Sequence, residues 1–171
     1  MKKMLEKSQR YLMISSELAA KATEVLVVPL TLGFCLIVFA GVVTRFIFKV
    51  SFTTSMEFSR ILFVWFCFLG SSLAYKRNQH IQFTFILKKV SEKVRGIMNL
   101  CIDTVSLLFF AVLFFESIKL VKKVSMTVFP ASGLSYTVMY ISFPIASAFF
   151  IIHALNFLCG DACKILNKEA E

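Results

Sequence analysis

A chain of 171 residues that is 58% hydrophobic and only 17% charged falls short of the roughly 25% charge of ordinary soluble domains, and the deficit is gathered in four windows, so the composition points to an all-α membrane protein. The formal net charge of +9 comes from basic residues beside the apolar windows, where anionic headgroups and topology control account for them and nucleic acid is not needed as a partner. With 20 Phe against 6 Gly and 3 Pro, the chain is not a disordered or low-complexity one.

Residues 1–22 are not expected to be a signal peptide, because Glu6, Lys7, Arg10, Glu17 and Lys21 interrupt any apolar core. Met4, Leu5, Tyr11, Leu12, Leu18 and Ala19 recur at helical spacing with Lys3, Lys7, Arg10, Glu17 and Lys21 on the other face. That division predicts an N-terminal amphipathic helix lying in the membrane interface. Val25 to Thr44 follows without a charge, long enough at about 1.5 Å per residue to cross roughly 30 Å of hydrocarbon. Gly33, Ala40 and Gly41 permit close helix contact in this first span. Pro29 is expected in its first turns, where a missing N–H costs least. Arg45 and Lys49 end the span.

The second span, 57–76, opens with Glu57 and Arg60 one turn apart, which can pair on one face. Arg45 is the other available partner for Glu57, across the helix hairpin. Either a local ion pair or an anchor for a partner subunit fits these residues. The apolar run from Ile61 contains Trp65 and Gly70 and closes on Lys76, Arg77 and His80. Trp65 lies too deep for an interfacial belt, so it is expected to pack on a helix; His80 is expected to be a polar cap or lipid-headgroup contact in the basic rim. Asn78 to Arg95 carries Phe83, Ile86, Leu87, Val90 and Val94 among lysines. It is too short and charged to span, so it is predicted to lie along the interface.

The third span, 97–118, holds Asp103 with Asn99 and Ser106 on its face. An ionisable residue at membrane depth is a functional candidate, but no second acid lies level with it, which favours a hydrogen-bonded packing role. Glu116, beside Lys119 and Lys123, reads as an interfacial charge. Pro130, Ser132 and Gly133 break the following connector. The fourth span, 136–159, carries Ser142, Ala146, Phe149, His153 and Asn156 on one packing seam. Pro144 is predicted to kink it. His153 has no matching His or Cys, so it is expected to be a packing histidine. Cys35, Cys67, Cys101, Cys159 and Cys163 are read as reduced thiols.

Four spans place both termini on one side, with Lys2, Lys3, Lys7, Arg10, Lys21, Lys76, Arg77, Lys88, Lys89, Lys93, Arg95, Lys164 and Lys168. The other side holds Arg45, Lys49, Arg60, Lys119, Lys122 and Lys123. The positive-inside rule therefore predicts both termini in the cytoplasm. No HExxH, GxSxG, Gly-rich phosphate loop or acid cluster is present, so no catalytic, substrate-binding, metal or cofactor site is expected. A subunit or scaffold remains, with a self-contained four-helix transporter or channel using Asp103 as the alternative.

One family is matched in order and spacing along nearly the whole chain. Arg45-Phe46-Ile47-Phe48, Glu57-x-x-Arg60-x-Leu62-Phe63-Val64-Trp65-x-x-Phe68-Leu69-Gly70 and Tyr75-Lys76-Arg77-x-x-His80-Ile81, with Ser132-Gly133-Leu134, Tyr140 and Pro144, resemble the small membrane subunit (DctQ or SiaQ type) of tripartite ATP-independent periplasmic (TRAP) transporters. The family often has Trp just before the acid, where this chain has Ser55-Met56. The resemblance implies a bacterial inner-membrane subunit that scaffolds a large elevator-type subunit (DctM or SiaM type). That subunit would carry the Na+ and substrate sites for uptake of an organic acid, of sialic acid or C4-dicarboxylate type, delivered by a periplasmic binding protein. It makes Arg45, Glu57, Arg60, Trp65, Gly70, His80, Asp103, Tyr140 and Pro144 candidates for subunit interface or structural roles.

Overall fold

The computed structural model describes residues 2–49, 53–78 and 92–168. They form α1 (Lys2–Ile47), α2 (Thr53–Asn78), α3 (Glu92–Val124), a single turn α4 (Thr137–Tyr140) and α5 (Ser142–Lys168). Four stretches are long and apolar enough to cross a membrane: Gln9–Ile47, Thr53–Arg77, Met98–Val124 and Thr137–Cys163. The chain is thus an all-α membrane protein, as its composition requires. The expected interfacial segment before α3, with His80, lies outside the described residues apart from Asn78, which ends α2, and 92–95, which begin α3.

α5 is the central element. It packs most extensively on α3 and also meets α1 and α2, while α1 pairs with α2. The registers show α1 and α2 antiparallel, with Gly33 over Leu62 and Gly41 over Ser55, and α2 and α5 parallel, with Phe68 meeting Phe143 and Tyr75 meeting Phe150. An aromatic ladder fills the middle. The Phe110 and Phe150 rings stack with centroids 4.1 Å apart, and Tyr75 lies edge-on to Phe110, Phe150 and Phe157.

Two expectations about the first helix are corrected. The amphipathic stretch and the first span are one continuous helix of 46 residues, about 69 Å long, because nothing between Lys21 and Val25 breaks it. Its N-terminal half docks through Ser16, Ala19, Ala20 and Thr23, all buried at i, i+3, i+4 and i+7. Small side chains let the backbones approach, whereas Tyr11 and Leu18 of the expected apolar face are 65% and 68% exposed. Pro29 consequently sits deep inside α1 and not in a first turn, so the Val25 carbonyl forgoes its helical donor.

Pro144 acts upstream of itself. It occupies the first turn of α5, and the break falls at Ile141 between α4 and α5, because a proline cannot bond the carbonyl four residues earlier. On the predicted seam, Ser142, Ala146 and His153 are fully buried, while Phe149 and Asn156 are partly so.

Candidate functional site

One stripe of α2 organises the molecule. Glu57, Ile61, Trp65, Leu69, Ser72 and Lys76 follow at spacings of four, four, four, three and four, a single helix face. Glu57, Ile61, Leu69 and Ser72 are buried. The first half of this stripe grips the loop between α3 and α4, and the second half grips α1 and α5.

The loop is a short hairpin. The Phe129 N–H donates to the Leu134 carbonyl at 2.8 Å and the Tyr136 N–H to the Thr127 carbonyl at 3.0 Å, around a bridge between Val128 and Ser135. Gly133 closes the tip with φ +69°, a left-handed conformation that glycine adopts without a Cβ clash. Its N–H donates to the Phe129 carbonyl at 2.9 Å. Phe129, 1% exposed, stacks on Tyr136 with centroids 4.0 Å apart. Together with Ile61 and Met139 it forms the apolar core of this end, flanked by Trp65, Leu134 and Tyr140.

Glu57 fastens the tip. Successive amides converge on its carboxylate: Ala131 N–H donates to Oε1 at 2.9 Å and Ser132 N–H to Oε2 at 2.7 Å. This is a backbone nest holding an anion supplied by the protein itself, and charge-assisted bonds of this kind are stronger than neutral ones. The expected ion pair is corrected here. Arg60 reaches the carboxylate only through its field, and Arg45 lines a groove between α1 and α2. Backbone donors win because they satisfy both oxygens at once.

Trp65 caps the break between α4 and α5. Its indole N–H donates to the Val138 carbonyl at 2.8 Å, and the Ser142 hydroxyl donates to the Met139 carbonyl at 2.7 Å. Carbonyls released from a helix at membrane depth need such partners. Trp65 is therefore more than the packing residue expected. Tyr140 stacks near Phe143 at 5.6 Å. Gly70 has no atom within 4 Å of where a Cβ would stand, so no close contact at this position requires glycine.

At the opposite end, the Ser16 hydroxyl and His153 Nδ1 are 2.8 Å apart and both residues are 0% exposed. Lys76 Nζ donates to the Ser16 carbonyl at 3.1 Å, and Arg77 pairs with Glu24 at 2.9 Å. Ser16 and Lys76 were not among the sequence candidates. The available signal was the small-residue pattern Ser16, Ala19, Ala20 and Thr23. Asp103 is 2% exposed on α3 and acts electrostatically on the Tyr75 hydroxyl across the interface. Glu116 pairs with Lys119 at 2.7 Å on the exposed side of α3. The arrangement is mechanical: it locks a hairpin at one end and the long first helix at the other.

Residues 34–164 match the family model described as "Tripartite ATP-independent periplasmic transporters, DctQ component". The chain belongs to this DctQ family. It is similar to a TRAP transporter small permease protein of Haemophilus influenzae, at 33% identity over 52% of this chain and 55% of that relative. A second such protein from the same organism is 30% identical over 68% of this chain and 72% of its own length. The sialic acid TRAP transporter small permease protein SiaQ of Vibrio cholerae is 24% identical over 78% of this chain and 77% of its own. The alignment thus spans only a little over half of the first relative, and most of the second and third. Glu57, Trp65, the hairpin, Pro144 and His153 all fall inside the matched region, whereas Ser16 lies before it.

Proposed function

We propose that this DctQ-family chain is the non-catalytic small permease subunit of a TRAP transporter in a bacterial inner membrane, with both termini cytoplasmic. It scaffolds a large elevator-type subunit during Na+-driven uptake of an organic acid, of sialic acid or C4-dicarboxylate type, delivered by a periplasmic binding protein. The similarity to SiaQ favours the sialic acid class. The observation that carries the scaffold reading is an uninterrupted apolar seam on α1. Tyr11, Leu18, Val25, Leu32, Phe39 and Phe46 recur every seventh residue and are each 60–77% exposed. A seven-residue repeat keeps one face turned toward a neighbouring helix along its whole length. On this reading Glu57 and Trp65 hold the hairpin rigid at the periplasmic rim, and Ser16, Lys76 and His153 stiffen the cytoplasmic half. Asp103 supports packing against α2.

Affinity purification of the chain from native membranes tests this. A stoichiometric complex with a large multi-span membrane protein is expected. Replacing Leu18, Leu32 and Phe39 together by alanine should release it. Recovery of the chain as a lone monomer from mild detergent sinks the proposal.

A further inference from the structure

At the hairpin end, α1 and α2 diverge and leave a groove open to the outside. Ile37, Val38, Gly41 and Val42 line its length on α1, and Ser55 and Ser59 line the α2 side. Gly41 keeps the floor low: a Cβ there would meet only Ser55 Oγ, at 3.7 Å. Arg45 stands at the mouth, one turn beyond Gly41, in the last turn of α1. From Ile37 to Arg45 the groove runs about 12 Å along the helix.

The chemistry of its occupant follows from charge and polarity. The walls are apolar along the membrane-embedded part, and the guanidinium sits where the span ends, at headgroup depth. Among the described residues Arg45 forms no ion pair; the acid closest in sequence, Glu57, is engaged by the hairpin amides. No acid lines the groove, and Lys49, a further cation, follows Arg45. A planar guanidinium with five donors matches the two oxygens of a phosphate. The required ligand joins an acyl chain to an anionic head.

We propose that this groove is a binding site for one anionic glycerophospholipid, its phosphate on Arg45 and an acyl chain along Gly41. A zwitterionic lipid brings its own ammonium to an end already rich in cations, and so fits less well. Phe46 also lines the groove and ends the α1 seam, so the lipid site adjoins the surface proposed above for the large subunit.

The test uses the full chain in nanodiscs of phosphatidylethanolamine and phosphatidylglycerol, released for native mass spectrometry. The wild-type chain is expected to retain one phosphatidylglycerol in excess of the bulk ratio. Arg45→Gln should lower that occupancy about tenfold, and Arg45→Lys should keep part of it. Gly41→Leu should expel the lipid by filling the floor. Lys119→Gln, a cation on α3 outside the groove, should change nothing. Circular dichroism of each variant checks that the helices are intact. Equal retention by wild type and Arg45→Gln overturns the site, as does equal retention of phosphatidylethanolamine. Loss of lipid only when a second protein fills the groove assigns it to that protein instead and also overturns the proposal.

Discussion

Ser16→Ala removes a single hydroxyl from the contact that docks the N-terminal half of α1. Ser16 and His153 are both fully buried, and the bond between them is 2.8 Å. Without the hydroxyl, His153 Nδ1 loses its partner in a site where Nε2 already has none among the protein groups. A buried polar atom left in this state costs about 1–3 kcal/mol, which shifts a docking equilibrium by about five- to 150-fold. The Lys76 bond goes to the Ser16 carbonyl and survives the change, so the loss reports the hydroxyl alone. Gln9 and Gly160 provide the assay, because a Cβ on Gly160 would stand 3.5 Å from Gln9 Nε2. Cysteines at those two positions, in a chain with the five native cysteines replaced, should be joined by a short bifunctional thiol reagent. Ser16→Ala should slow cross-linking within the range given. Adding His153→Leu should restore much of it, since removing both polar partners leaves nothing unsatisfied. Unchanged cross-linking in Ser16→Ala, or a double variant worse than either single one, refutes the docking argument.

Further consequences attach to the other end. Glu57→Gln should speed hydrogen exchange at the Ala131 and Ser132 amides by about tenfold or more, because the charge-assisted bonds are lost. Arg60→Gln should leave both amides within about twofold; similar effects from the two substitutions would restore an ion-pair account of Glu57. Trp65→Phe should cost about 1–3 kcal/mol in thermal unfolding in detergent, with a smaller loss in a Pro144→Ala background, where a straightened helix lets the Ser142 amide reach the Val138 carbonyl. Gly133→Ala should cost about 1 kcal/mol and loosen the hairpin without disturbing α1, as read from hydrogen exchange in the two regions.

The spans were legible in the sequence because hydrocarbon imposes one requirement on every residue that faces it. Four stretches are accordingly long and apolar enough to cross a membrane, the last beginning at Thr137 and interrupted at Ile141. Helix ends were less legible, since α1 runs through the charged stretch from Glu17 to Glu24 without a breaker. The partner of Glu57 was hidden for a different reason. It is a pair of backbone amides 74 and 75 residues away, and backbone donors leave no trace in residue identity. Only Pro130 and Gly133 hinted that the loop turns sharply enough to present them. Trp65 illustrates the same gap: its residue type revealed bulk, but its hydrogen bond goes to the Val138 carbonyl beside the break between α4 and α5. His153 packs as its isolation from other His and Cys residues suggests, but nothing in its own spacing points to Ser16, which lies 137 residues away. The small-residue register of α1 was the better guide.

The scaffold reading stands or falls on who moves the substrate. Proteoliposomes holding this chain alone, this chain with its large subunit, and the large subunit alone should be compared under a Na+ gradient, with a binding protein loaded with sialic acid or a C4-dicarboxylate. Uptake is expected only when the large subunit is present, and at its full rate only when both subunits are. Uptake by this chain alone, abolished by Asp103→Asn, would contradict the account.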